Sequence, residues 1–181
     1  MHLRHYSSEG IVLARRNYGE ADRILVVYTK KLGKISLIAK GVRKPISKKR
    51  ASLEIFSYIK FAAASGKNLD LITEVETIDS FILIRQDLRK TSLAYFFMEA
   101  VGRTSHEGGP NHEVFDLLLK NLIILKKASQ LKNIRLKFIL DLLTVLGFWP
   151  KGKKMENPDF ALTEVIEREM NSYRVGKKLL S

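Results

Sequence analysis

The chemistry most legible in this chain is that of clustered cations. Residues 40–50, KGVRKPISKKR, hold six basic residues and no acid. Ammonium and guanidinium groups arranged in this way take phosphate oxygens, and each phosphate they neutralise releases condensed counterions. The run extends backward: residues 30–50 carry Lys30, Lys31, Lys34, Lys40, Arg43, Lys44, Lys48, Lys49 and Arg50 without one Asp or Glu. Charges of one sign so close together repel, and an anionic partner relieves the repulsion. Lys34 and Lys40 share a strand face by the period of two, so the charge continues from strand to loop. Pro45 stiffens the loop and lowers the entropy lost on binding. A solvated connection is the plain alternative, but this run joins two strands and its ends are fixed to a scaffold.

The candidate phosphate contacts are therefore Lys34, Lys40, Arg43, Lys44, Lys48, Lys49 and Arg50, with Arg15, Arg16 and Arg23 flanking the first hairpin as an extension. Single-strand binding pairs a basic groove with stacking rings. Tyr18, Tyr28, Phe56 and Tyr58 qualify by type; Tyr28 and Tyr58 are the pair that could stack bases with the hydroxyl in water, and packing in the barrel or against the helices is the competing reading, above all for Phe56. The whole chain agrees in sign: 32 Lys and Arg against 19 Asp and Glu give a net charge of +13 over 181 residues. Such a balance is the electrostatic footprint of a nucleic-acid binder.

Other chemistries find little. No cysteine is present, so disulfides and thiolate metal sites are excluded, which fits a reducing cytoplasm. His106, Glu107, His112 and Glu113 surround a Gly-Gly-Pro breaker, but their spacing matches no zinc pattern. Neither a phosphate-cradling Gly-rich loop, a nucleophile elbow nor clustered nuclease carboxylates occur. We expect no metal, no cofactor and no enzyme activity. No apolar run approaches the ~20 residues of a membrane span, and the first ten residues lack the apolar core of a signal peptide.

The elements that position the cations divide near residue 81. Before it, 10–19, 22–31, 33–41, 53–65 and 69–78 read as short strands with tight turns, Gly66-Lys67-Asn68 among them. In 33–41, Ile35, Leu37 and Ala39 alternate with Lys34, Ser36, Ile38 and Lys40. Five such strands are what an OB-fold barrel needs. After it, the period becomes 3.6. Helices are expected at 87–101, with Leu88, Thr91, Tyr95, Met98 and Val101 as its stripe; at 112–127, buried on most sides; at 132–146; and near 160–173, with Leu162, Val165, Ile166, Met170 and Tyr173 on one face. The fold class is α+β, an N-terminal barrel (1–80) followed by a helical domain (81–181). In the helical part, an apolar helix beside Lys132, Arg135 and Phe138 suggests a groove for an acidic peptide, with ordinary core packing as the competing explanation.

The spaced elements Gly10-Ile11-Val12-Leu13, Tyr18 to Arg23, Thr29 to Lys34 and Ala39 to Lys44 resemble the N-terminal domain of the bacterial recombination mediator family RecO. The region up to LLTVLGFWP (142–150) is similar to that family more loosely. The resemblance implies an OB-fold and a helical domain, binding of single- and double-stranded DNA, annealing of complementary strands, and no nucleotide cofactor. It also implies RecR and the acidic C-terminal tail of single-stranded DNA-binding protein as partners, so that RecA can load, and a cytoplasmic, nucleoid-associated setting. Many members carry a four-cysteine zinc module, which this cysteine-free chain cannot form, and many run longer after the Leu-Gly-Phe stretch. A protein adaptor whose basic loop docks on an acidic protein or ribosomal surface is the competing reading.

Overall fold

The structure, a computed structural model, describes residues 5–47 and 49–167. Strands β1 (His5–Tyr18), β2 (Asp22–Thr29), β3 (Gly33–Ala39), β4 (Tyr58–Ala64) and β5 (Asp70–Asp79) close into a barrel in the order β1-β2-β3-β5-β4. The seam between β3 and β5 is parallel and short, Leu37 facing Asp70 and Ile38 facing Leu71; the other pairings are antiparallel. Helices α1 (Ile82–Arg85), α2 (Leu88–Thr104), α3 (His112–Lys127) and α4 (Leu131–Val145) follow, and a fifth, α5, is described from 158 to 167. The fold is α+β, with an OB-fold-like barrel first.

β1 serves two cores. Ile11, Val12 and Leu13 are buried in succession. Val12 packs inside the barrel with Leu25, Leu37 and Ile59, while Ile11 and Leu13 face outward and join Phe97, Val101 and the other helical residues. A strand buried on both faces loses its alternation and reads as an apolar run. A bulge between Val12 and Ala14 then resets the register, so Arg15, opposite Leu25, falls on the interior side.

Several expected boundaries move. The first strand begins at His5 rather than residue 10, its polar start paired with β4. The fourth begins at Tyr58 rather than 53, because Phe56 takes a left-handed φ of 56°. That turn sends Leu53 into the barrel and Phe56 into the helical core. α1, too short for a periodic signal, was not anticipated. On α2 the expected stripe holds at Met98 and Val101, which are buried, but not at Leu88, 84% exposed, or Tyr95, exposed; Leu93, Ala94 and Phe97 are buried in their place. Asp87 caps that helix as expected, accepting from the backbone N–H groups of Arg89 and Lys90. α3 leaves Ile123 and Ile124 exposed, so it is buried on one side only. Leu162 and Val165 of α5 are buried as expected; Met170 and Tyr173 lie outside the described residues.

The join between barrel and helical core is held at two strained residues, one before β4 and one after β5. Phe56 and Phe81 both have positive φ, 56° and 53°, a conformation that costs a bulky residue roughly 1–2 kcal/mol, and both are fully buried. Arg85 holds both turns. Its guanidinium donates to Ile55 O and Ser57 Oγ (2.8 and 3.1 Å) and its Nε to Ser80 O (2.8 Å). It also stacks on the Phe56 ring, 3.9 Å from the centroid. Burial lowers the pKa of this guanidinium, with the Glu54 charge acting in the opposite direction. Arg85→Ala is expected to cost about 2–4 kcal/mol in urea unfolding, and Arg85→Lys to recover only part, because an ammonium cannot span three acceptors in a plane. Wild-type stability in the Lys variant would refute this role.

Candidate nucleic-acid interface

The basic loop between β3 and β4 is fastened along its length. At its start, Gly41, with φ 65°, donates its N–H to Asp22 Oδ1 (2.7 Å), and Arg43 donates its N–H to Ala21 O (2.8 Å). At its end, Phe56 N–H donates to Val12 O (2.7 Å). Between these, Val42 and Leu53 are buried in the barrel core, and successive turns close from Lys44 to Gly41, Ser47 to Lys44 and Arg50 to Ser47. The loop is a built surface from which Lys40, Lys44, Pro45, Ile46 and Arg50 project into solvent.

This construction sorts the candidate cations. Arg15 and Arg23 do not face outward: they lie opposite Leu25 and Ala39 of the barrel interior and both pair with Glu54 (2.9 and 3.3 Å). Lys49 donates to Thr73 O (2.5 Å) and Ile72 O (3.4 Å), carbonyls at the β5 bulge. Arg43 reaches Gly19 O at 3.2 Å. Lys48 lies outside the described residues. Lys30 and Lys31 sit in the β2–β3 turn at the opposite end of β3 from Lys40, and seven strand residues put roughly 20 Å between the two groups. The run of nine is thus divided, not one patch.

Lys34 is corrected as a phosphate contact. Its ammonium donates to Gly102 O in the last turn of α2 (2.8 Å), where the helix carries unsatisfied carbonyls and partial negative charge. Burial lowers its pKa, while Glu107 acts to raise it. The same edge receives the 105–110 segment: Ser36 donates to Glu107 Oε1 (2.8 Å) and Gly108 N–H to Lys34 O (3.1 Å). A Cβ on Gly33, whose φ is 69°, would lie 2.3 Å from Gly109 O, so this glycine is required by both conformation and approach.

The preferred stacking residues are corrected as well. Tyr28 is 1% exposed and belongs to the core beneath the helices; burial pushes its phenol upward. Tyr58 packs edge-on to Phe115 of α3, centroids 6.1 Å apart, and donates to Glu9 Oε2 at 2.5 Å. In the helical part, Phe138 is fully buried against Phe97, 4.2 Å between centroids, so it cannot touch a partner. Arg135 stacks on Phe96 and pairs with Asp159 at 2.5 Å; Lys132 is exposed.

A second feature completes the basic surface. A cleft of about 550 Å³ opens on the outside of the barrel, between β1–β3 and the β4–β5 turn. Arg16, Lys40 and Lys67 line it, together with Tyr18, and no acid does among the described residues. Lys40 belongs to both cleft and loop. Lys67 was missed in the sequence because it reads as a turn residue; the role of the β4–β5 loop in OB-fold recognition was the available signal. Among the described residues there is no cluster of His, Asp and Glu suited to a metal, and no helix long and apolar enough to cross a membrane.

Comparison with known proteins agrees with this architecture. The family model "Recombination protein O N terminal" matches residues 1–81, and "Recombination protein O C terminal" matches residues 85–154. DNA repair protein RecO of Alkaliphilus metalliredigens is 38% identical over 144 residues, 79% of this chain and 58% of that protein. Its counterpart in Rubrobacter xylanophilus is 40% identical over 147 residues, 81% of this chain and 59% of that protein. The chain spans a little over half the length of these curated relatives.

Tyr58 gives a pH test of its structural placement. Burial first, then the hydrogen bond to Glu9 and the charges of Glu9 and Asp116, push its phenol up to about 12. A phenol raised in the folded state stabilises fully below its unfolded value near 10, and that contribution is lost as pH rises from about 10 to about 12. Thermal unfolding followed across this window should show falling stability, with a shallower fall in Tyr58→Phe. An identical slope in the variant would remove Tyr58 from the interface.

Proposed function

The chain belongs to the recombination protein O family, and from that premise we propose that it is a non-enzymatic, DNA-binding mediator of recombination and repair. It binds single- and double-stranded DNA and anneals complementary strands. With RecR it acts on strands covered by single-stranded DNA-binding protein so that RecA can load, in the cytoplasm at the nucleoid. The observation that carries the DNA reading is the fastened loop with Lys40, Lys44 and Arg50 directed outward, continuous through Lys40 with an acid-free cleft. Rigid cations bind phosphates without first losing loop entropy. Backbone neutralisation lowers the repulsion between two strands and carries no sequence information, so strand choice is left to base pairing.

The acidic tail of single-stranded DNA-binding protein fits a cleft of about 380 Å³ between α2, α4 and α5, lined by Arg103 and Arg135 together with Phe96 and Leu162. Both arginines hold internal carboxylates, Glu99 and Asp159, which an incoming carboxylate exchanges for its own.

The test reverses charge only where it does not serve the fold: Lys40→Glu, Lys44→Glu and Arg50→Glu together. Fluorescence anisotropy with labelled single-stranded DNA should show lost affinity at low salt, lost annealing, and a salt slope smaller by about 2, at roughly 0.7 per phosphate contact. Circular dichroism should be unchanged. Unchanged annealing by the triple variant overturns the site. No binding of wild type at low salt overturns the DNA reading in favour of an acidic protein partner.

A further inference from the structure

We infer that the cleft beside Lys40 is a pocket for unpaired bases, with Tyr18 as its stacking platform, so that this protein distinguishes a single strand from the duplex it helps to form. The inference rests on the DNA reading and adds to it the form of nucleic acid that this cleft accepts.

The pocket is built from paired positions across four strands. Arg16 of β1 lies opposite Ile24 of β2, which lies opposite Ile38 of β3, which in turn meets Leu71 of β5. This row provides a floor of branched apolar side chains. Tyr18 and Lys40 stand two residues beyond Arg16 and Ile38 on the same outward face. Tyr18 is 53% exposed, whereas Tyr28 is in the core and Tyr58 is at the helix interface. The far wall is the β4–β5 turn with Lys67 and Asn68.

That wall is preformed. Gly66 donates its N–H to Asp70 Oδ1 (3.1 Å), and a Cβ on Gly66 would lie 2.0 Å from Leu69 O, so the turn closes more tightly than any other residue allows. A cleft of about 550 Å³ is within the ~300–1,000 Å³ range of clefts that hold small organic ligands. Its chemistry is mixed in the way a nucleotide requires: apolar floor, one exposed ring, three cations at the rim, and an amide that can donate and accept toward a base edge.

A paired base offers neither face nor Watson–Crick edge to such a site. An unpaired base offers both. The phosphate contacts of the loop persist on either form, but the stacking contribution exists only for the single strand. Pairing therefore withdraws bases from the cleft and weakens the hold on the product duplex, which favours its release after annealing.

The experiment compares three labelled probes by anisotropy at low salt: an oligothymidylate, an abasic oligomer of equal length and charge, and a duplex of equal length. Wild type should bind the oligothymidylate roughly ten-fold or more tighter than the abasic oligomer. Tyr18→Ala should remove that difference and leave abasic and duplex affinities unchanged, whereas Tyr18→Phe should retain it. Lys67→Glu should weaken all three. Equal wild-type affinity for thymidylate and abasic strands overturns the base pocket while leaving DNA binding by charge intact. An equal loss on all three probes in Tyr18→Ala overturns the stacking role. Failure of wild type to bind any probe overturns the DNA reading and the pocket with it.

Discussion

Two aromatic residues held in left-handed backbone, and the guanidinium that holds them, determine how the rest of this molecule is arranged. Without the reversal at Phe56, β4 would extend back to residue 53 and the basic loop would lose its closed end. Without the reversal at Phe81, the chain would leave β5 away from β1, and the helices would have no route to its outward face. Arg85 joins both turns through Ile55, Ser57 and Ser80. Strain of this kind persists only where surrounding contacts over-determine it. Here these are the burial of two full rings and a planar cation whose Nε and one terminal nitrogen donate to three fixed acceptors.

The consequence is a division of the barrel surface. The helices occupy the outward face of β1 around Ile11 and Leu13, and the 105–110 segment takes the start of β3 through Gly33, Lys34 and Ser36. The opposite end of β3, the end of β1 and the β4–β5 turn remain open. Cations follow the same division. Those turned inward, Arg15 and Arg23, share Glu54; Lys34 and Lys49 satisfy carbonyls; Arg16, Lys40, Lys44, Arg50 and Lys67 are turned to water. A net charge of +13 alone would not have made that distinction.

Much of this was legible in the sequence. Turn residues and alternation located five strands, and the 3.6 period located the four longer helices, because both signals come from local burial. Expectations failed where a tertiary constraint overrode the period: the start of β4 by the reversed φ of Phe56, and the Leu88 and Tyr95 positions of the α2 stripe because barrel packing chooses the buried face. The site was legible in charge but not in assignment. The elements that carry the resemblance to the family, Tyr18 to Arg23, Thr29 to Lys34 and Ala39 to Lys44, contain Asp22, Gly33, Lys34 and Gly41, whose contacts here are all internal. A motif can be specific to a family because it builds the scaffold. Tyr28 and Tyr58 illustrate the same limit, since a tyrosine on a strand has equal sequence character over a core or over water.

Fastening the basic loop also resolves a conflict in its energetics. Exposed like charges destabilise a compact state, and a flexible loop would spread them apart and lose its use as a surface. Here the destabilisation is offset locally by burying Val42, Leu53 and Phe56 on either side of the charged segment, so apolar burial holds the cations in place. A strand of phosphates arriving at this surface gains the attraction of groups that cannot rearrange, and relieves a repulsion the fold already sustains. The affinity and the stability of this segment are therefore linked: an anion that binds only the folded loop must raise the free energy needed to open it.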